Sequence, residues 1–175
     1  GGSWELYCDL EQQAIYSKYS GADMLKMIQE RGHPVKFRLT INCRNTKQIG
    51  EATSLLTGFQ KPPFILNDIE GIPVEYKFYR NREHQIKELE ELLMKLKRQN
   101  IPDNNITILS RYKFENSCVS GLDLNDFPVE IFSSKHNAIP LLQNCKNISF
   151  ATISGFKGLE NSYITLKSAK DTKFY

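Results

Sequence analysis

The sequence has few cysteines and histidines, and their spacing excludes several kinds of site. Its four cysteines lie far apart and form no cluster with the three histidines. They are Cys8, Cys43, Cys118 and Cys145. Because a structural zinc site needs closely spaced pairs such as CxxC, we expect no structural metal. We expect reduced, mostly buried thiols, as in a protein of the cytoplasm.

Long apolar runs and a strong excess of one charge are also absent. No apolar stretch approaches the roughly 20 residues of a membrane-spanning helix, and the N-terminus does not resemble a signal peptide. The 23 basic and 20 acidic residues leave a formal charge of +3, which does not by itself identify nucleic acid as a partner. With 40% hydrophobic residues, the 175-residue chain can bury one sizeable core, so we expect one domain, with at most a small appendage.

The spacing of apolar residues predicts strands that alternate with helices. Strands are predicted at residues 4–8, 35–41, 74–79, 106–109, 129–132, 148–153 and 163–166. Helices are predicted at residues 24–31, 45–58 and 82–99, the last with a clear apolar stripe. Since parallel strands need crossover connections, this alternation favours an α/β architecture with a mainly parallel sheet.

Three polar segments follow predicted strands, at residues 9–16, 42–46 and 152–160. Open parallel sheets carry functional loops at the carboxyl ends of their strands. Arg44 in the second segment can bind a phosphate through two donors, although a surface salt bridge explains a single arginine equally well. The hydroxyls, two glycines and Lys157 of the third segment suit a phosphate chain about as well as an ordinary turn. The Walker A pattern GxxxxGK[ST] does not occur in the sequence.

Taken in order, the three segments resemble motifs III, IV and V of UvrD/Rep-like superfamily-one DNA helicases. Residues 4–16 are similar to motif III, which ends in Gln-Ser/Ala-Ile-Tyr and reads Gln-Ala-Ile-Tyr here. Residues 39–49 resemble motif IV, an Asn-Tyr-Arg-Ser-Thr pattern that reads Asn-Cys-Arg-Asn-Thr here. Residues 152–160 resemble motif V, whose Lys-Gly-Leu-Glu ending is present in full.

The resemblance implies a fold and a place in a larger protein. It implies that residues 1–175 form the second RecA-like motor domain, a three-layer α/β sandwich with a mainly parallel central sheet. The first motor domain, with Walker A and B, and motif VI would lie outside this chain. The parent protein would use ATP and Mg²⁺ to move along single-stranded DNA. The chain alone would be monomeric, hold no cofactor and hydrolyse no ATP, since a complete phosphoryl-transfer site needs the first domain.

Five positions match residues that bind or hydrolyse ATP in this family. They are Gln13, Arg44, Lys157, Gly158 and Glu160. The resemblance implies that Gln13, or Gln12 in a shifted register, senses the γ-phosphate. Arg44 would act as an arginine finger that stabilises the charge developing during phosphoryl transfer. Glu160 would reach the ribose.

Four further positions match contacts with single-stranded DNA. They are Tyr16, Tyr19, Thr152 and Ser154. The resemblance implies that Tyr16 stacks on a base and that Tyr19 replaces a second aromatic residue. Thr152 would contact the DNA backbone, and Ser154 occupies a position where relatives often have histidine.

Two other functions stay open on the residues alone. A non-catalytic module with a RecA-like fold would bind nucleic acid or protein without turnover, using Tyr16 and Tyr19 as stacking surfaces. A free-standing α/β enzyme would use Cys43 or His136 as a catalytic group, and nothing in the sequence pairs either residue with a second one.

Overall fold

The computed structural model describes residues 5–7, 20–32, 35, 37, 41–57, 65–66, 69–132, 145–156 and 159–167. The chain divides into two compact units, Gly1–Val74 and Glu75–Tyr175. The boundary between them falls inside the segment 74–79, which was predicted to be a strand. Among the described helices, none combines the length and the apolar character needed to cross a membrane.

The described residues of the first unit form two helices and a short parallel pair of strands. Along the chain these are α1 (Gly21–Arg31), β1 (Ile41–Asn42), α2 (Lys47–Thr57) and β2 (Ile65–Leu66). Strand β1 pairs with β2 in parallel, Ile41 opposite Ile65. Helix α1 lies where the apolar spacing predicts a helix, and α2 lies within residues 45–58, where the capping-box pattern of Asn45 and Gln48 predicts one.

Helix α1 begins at a reciprocal capping box. The Ser20 hydroxyl accepts a hydrogen bond from the Asp23 backbone nitrogen at 3.2 Å, and the Asp23 carboxylate accepts one from the Ser20 backbone nitrogen at 3.0 Å. The two side chains also share a hydrogen bond of 2.6 Å. This arrangement satisfies backbone donors that a helix otherwise leaves unpaired at its first turn. The helix ends before Gly32.

The second unit is built on a four-stranded sheet in which every pairing is parallel. Its spatial order is β4, β5, β3, β6. The strands are β3 (Ile106–Ser110), β4 (Val129–Phe132), β5 (Ile148–Thr152) and β6 (Tyr163–Lys167). The predicted α/β class and the parallel sheet are therefore confirmed for the described residues.

One helix, α3 (Arg82–Arg98), packs on one face of this sheet. The Asn81 side chain caps its start by accepting from the His84 backbone nitrogen at 2.8 Å. The predicted apolar stripe is confirmed, because its leucines join the apolar residues of β3 and β5 in one buried cluster. The buried helix and central-strand residues are Leu89, Leu93, Leu96, Ile106, Ile108, Ile148 and Phe150.

The opposite face of the sheet carries a smaller buried cluster. Side chains alternate between the two faces of a strand, so Leu109 and Ala151 point away from α3. They pack with Phe132, Phe156 and Leu159. The described residues of this unit place one helix on one face. A third layer over this cluster remains a prediction.

The predicted strand at 74–79 is wrong, since the structure assigns no strand there. Two of its residues instead form ion pairs with helix α3. Lys95 Nζ lies 2.7 Å from Glu75, and Lys77 Nζ lies 3.3 Å from Glu88. The intervening apolar side chains, among them Phe78, are exposed. Among the described residues, no partner strand pairs with this segment.

Two other predicted strands are described only in part. Of the described residues in 35–41, Ile41 lies in a strand, whereas Val35 and Phe37 are exposed and outside any strand. Residues 5–7 of the predicted strand 4–8 carry no strand assignment, and the other two residues of that strand lie outside the described part of the chain.

Candidate functional site

A tight turn directly follows β5 and contains two of the predicted DNA contacts, Thr152 and Ser154. The Thr152 hydroxyl accepts a hydrogen bond from the Gly155 backbone nitrogen at 3.1 Å and lies 3.3 Å from the Ser154 hydroxyl. The Thr152 carbonyl accepts a second bond from the Phe156 backbone nitrogen at 3.0 Å. The turn is thus held by Thr152, while Ser154 is exposed at its surface.

The turn is fixed at its far end by packing. Phe156 is buried in the smaller apolar cluster, with 7% of its surface exposed. A Cβ added at Gly155 would lie 3.0 Å from the Thr152 hydroxyl oxygen, so a larger residue would crowd the bond that holds the turn. The structure therefore brings Thr152 and Ser154 together on a well-defined loop at the carboxyl end of a central strand.

The end of β3 lies beside this turn. Ser110 and Thr152 are register partners on adjacent parallel strands, and the Ile153 backbone nitrogen donates to the Ser110 carbonyl at 3.0 Å. The Ser110 hydroxyl, which is buried, accepts from the Tyr112 backbone nitrogen at 3.1 Å. The exposed side chains that follow are those of Arg111, Tyr112 and Lys113.

Sequence reasoning missed the segment 111–113. It selected the polar residues after the predicted strand 148–153 and passed over those after 106–109, although both runs carry the same kind of signal. The available signal was a Ser-Arg-Tyr-Lys run directly after a β-branched strand. Its position beside Thr152 becomes evident once the strand order is known.

Glu160 lies near the amino ends of the strands in this sheet. The next residue, Asn161, donates its side-chain amide to the Asn104 carbonyl at 3.0 Å and to the Thr107 hydroxyl at 2.9 Å. Asn104 lies just before β3 and Thr107 is its second residue, and Tyr163, the first residue of β6, pairs with Ile106 there. Thr152 and the exposed Glu160 therefore lie at opposite ends of the strands, so the expectation that the whole segment 152–160 lies at the carboxyl ends is wrong for Glu160.

A series of buried hydrogen bonds joins β3 and β5 near their amino ends. The Thr107 and Ser149 hydroxyls are 2.7 Å apart, and both residues are fully buried. Ser149 donates to the Ile106 carbonyl at 3.2 Å, so Thr107 is the donor in the shorter bond. Every member is satisfied, which identifies this series as a structural link between β3 and β5.

Arg44 belongs to the first unit and lies between the end of β1 and the start of α2. Its side chain is exposed. The start of α2 is clamped by the segment 69–71: the Lys47 backbone nitrogen donates to the Ile69 carbonyl at 3.1 Å, and the Gln48 side chain accepts from the Gly71 backbone nitrogen at 2.7 Å. The guanidinium is thus carried on a short loop with a fixed end.

The remaining predicted site residues lie outside the described residues. They are Gln13, Tyr16, Tyr19, Lys157 and Gly158, together with His136 of the free-standing-enzyme alternative. Arg44 belongs to a different unit from Thr152, Ser154 and Glu160. The structure thus describes four of the nine positions in their local surroundings.

None of the comparisons with known proteins gives a match. This holds for family models, for curated proteins and for solved structures. The resemblance to UvrD/Rep-like helicases therefore depends on the motif residues and on where the described ones lie in the fold.

The Cys145 thiol is not activated as a nucleophile. Burial and the Glu130 carboxylate, which accepts a hydrogen bond from the thiol at 3.1 Å, together raise the pKa of Cys145 to about 11. Cys145 is therefore protonated at neutral pH. Cys43, Cys118 and Cys145 are not disulfide-bonded; Cys118 and Cys145 are buried as predicted, whereas Cys43 is exposed. Among the described residues, no group of three or more His, Cys, Asp and Glu side chains could hold a metal ion.

Proposed function

We propose that the chain is the second RecA-like motor domain of a UvrD/Rep-like superfamily-one DNA helicase. It would contribute motifs III, IV and V to a site shared with a nucleotide-binding first domain. The observation that carries the proposal is the position of the two described motifs. Residues 42–46 and 152–160 both begin at the carboxyl end of a parallel strand, where α/β sheets carry their ligand-binding loops.

Thr152 and Glu160 lie at opposite ends of the strands, so in the proposed domain they would contact different ligands. Thr152 and Ser154 present hydroxyls at the carboxyl ends of the strands, suited to hydrogen bonds with a DNA backbone. Glu160 presents an exposed carboxylate near the amino ends, suited to the hydroxyls of a ribose. One chain can therefore contact nucleic acid and nucleotide at once without competition between the two.

Arg44 would supply positive charge to a nucleotide held by the other domain. Its guanidinium is exposed and follows a strand end, so a second domain can approach it. Arginine keeps its charge at any physiological pH and can bind two phosphate oxygens at once. ATP with Mg²⁺ would supply the free energy of hydrolysis, while this chain's residues would orient the phosphates and stabilise their charge.

The proposal is tested in the longer protein. The reading frame is expected to encode a GxxxxGK[ST] loop upstream of this chain. ATP turnover of that protein is expected to rise strongly on addition of single-stranded oligonucleotide and much less with blunt duplex. An upstream sequence without the loop, or turnover that ignores single strands, would favour the non-catalytic binding module.

A further inference from the structure

The carboxyl ends of β3 and β5 form one continuous edge, because the two strands are parallel neighbours. Ser110 and Thr152 lie opposite each other in register, and adjacent strands are about 4.8 Å apart. The Ile153 backbone nitrogen bonds to the Ser110 carbonyl, which keeps the two segments side by side after the strands end. We call residues 110–113 and 152–155 the carboxyl edge.

The first half of this edge is shaped by Ser110. Its side chain is 2% exposed, and its hydroxyl accepts from the Tyr112 backbone nitrogen at 3.1 Å. This bond turns the chain out of the sheet directly after β3. Arg111 and Lys113 are exposed as a result, and Tyr112 between them is 45% exposed.

The two halves offer complementary chemistry. An exposed aromatic ring between two cations can stack on a base while the cations attract the flanking phosphates. The Thr152 and Ser154 hydroxyls and the backbone of the adjacent turn add uncharged hydrogen-bonding groups of the kind that contact phosphate and sugar. A duplex buries the faces of its bases, so such a ring selects single strands.

We propose that the carboxyl edge binds single-stranded nucleic acid, with Tyr112 stacking on a base and Arg111 and Lys113 contacting phosphates next to Thr152 and Ser154. This inference rests on the proposed function and deepens it. It adds three contact residues, in a segment that lies between the matched motifs IV and V, to the nucleic-acid site.

The test measures binding of the 175-residue chain to fluorescein-labelled single-stranded (dT)16 and (U)16 by anisotropy at low salt. Tyr112→Ala is expected to weaken binding about tenfold, since loss of one stacked base has about that effect, and Tyr112→Phe is expected to bind like the wild type. Arg111→Ala is expected to weaken binding and to lower the slope of log K against log salt by about 1. The two oligonucleotides distinguish DNA from RNA.

Arg98→Ala is the matched control. Arg98 is exposed at the last turn of α3, while Arg82 at the first turn bonds to the Ser117 carbonyl, shortly after β3. A helix of 17 residues is about 25 Å long, so Arg98 lies far from the carboxyl edge. The proposal expects Arg98→Ala to leave both affinity and salt slope unchanged.

Three results would overturn the inference. Binding that Tyr112→Ala and Arg111→Ala leave intact would remove the edge from the site, while the proposed motor function would stand. An equal loss with Arg98→Ala would show that general charge explains the binding. Absence of binding by the wild-type chain would also overturn it, and ATP turnover by the longer protein would then decide the fate of the motor proposal separately.

Discussion

The Thr152 hydroxyl oxygen accepts a hydrogen bond from the Gly155 backbone nitrogen at 3.1 Å. The bond closes the turn between β5 and the rest of the segment 152–160, so this side chain has a structural role whatever it binds. A hydroxyl can accept this bond and still donate its proton to a ligand oxygen. The structure thus explains why a threonine at this position could serve the fold and the ligand together.

Replacing Thr152 tests whether its hydroxyl serves both roles. Thr152→Val keeps the volume but removes the acceptor, so it is expected to cost about 1 kcal/mol of unfolding free energy and to weaken oligonucleotide binding. Thr152→Ser keeps the hydroxyl and is expected to retain both. Urea titration and anisotropy measure the two effects, and equal behaviour of the two variants would contradict the role assigned to the hydroxyl.

Gly71 is expected to be intolerant of a side chain. A Cβ there would lie 2.5 Å from the Thr46 hydroxyl oxygen, at the start of α2. We expect Gly71→Ala to destabilise the first unit by about 1–3 kcal/mol, because the backbone or the short, branched side chain of Thr46 would have to shift. Gly121→Ala is the control, since its Cβ would meet the flexible end of Ile86. Thermal unfolding of both variants measures the difference, and an equal loss of stability in the two would contradict the prediction.

The packing of α3 on the sheet predicts that alanine substitutions at two adjacent helix positions lower the free energy of unfolding by very different amounts. Leu93 is 1% exposed within the main cluster, whereas its neighbour Met94 is 44% exposed. Leu93→Ala is expected to cost about 2–5 kcal/mol of unfolding free energy, and Met94→Ala far less. A comparable loss for both in denaturant titrations would mean that α3 does not pack on the sheet through this face.

The Cys145 thiol links stability to alkaline pH. Its pKa is raised to about 11 by burial and by Glu130, so the folded state disfavours the thiolate. The contribution of the protonated Cys145 thiol to the free energy of unfolding is fully present below the ordinary thiol pKa. It is lost as pH rises towards about 11. Cys145→Ala is expected to flatten this alkaline loss in unfolding free energy measured from pH 8 upward, and an unchanged profile would contradict the assignment.

The sequence predicted best those elements whose apolar residues follow the spacing of a single type of secondary structure. The leucine stripe of α3 buries its apolar residues on one face, so helical periodicity identifies it, whereas β3 and β5 are short, mostly buried runs bounded by polar residues. The segment 74–79 has the alternation typical of a strand. Glu75 and Lys77 pair with helix α3 there, and sequence alternation carries no information on which element faces a segment.

The carboxyl edge shows a second limit of sequence reasoning. Ser154 could be selected because it lies in a recognisable motif. Tyr112 could not, because it lies 42 residues earlier than Ser154 and is near it through the parallel pairing of Ser110 with Thr152. Strand order, which depends on long-range pairing, has no local signature.

The most direct test of the motor proposal is single-turnover ATP hydrolysis by the longer protein with Arg44→Ala, in the presence of single-stranded DNA. Loss of an arginine finger is expected to slow hydrolysis by about 1,000-fold or more while ATP still binds. Arg31→Ala, which removes an exposed arginine from the last turn of α1, is the control and is expected to hydrolyse at the wild-type rate. A folded Arg44→Ala protein that hydrolyses ATP within about twofold of the wild-type rate would contradict the account.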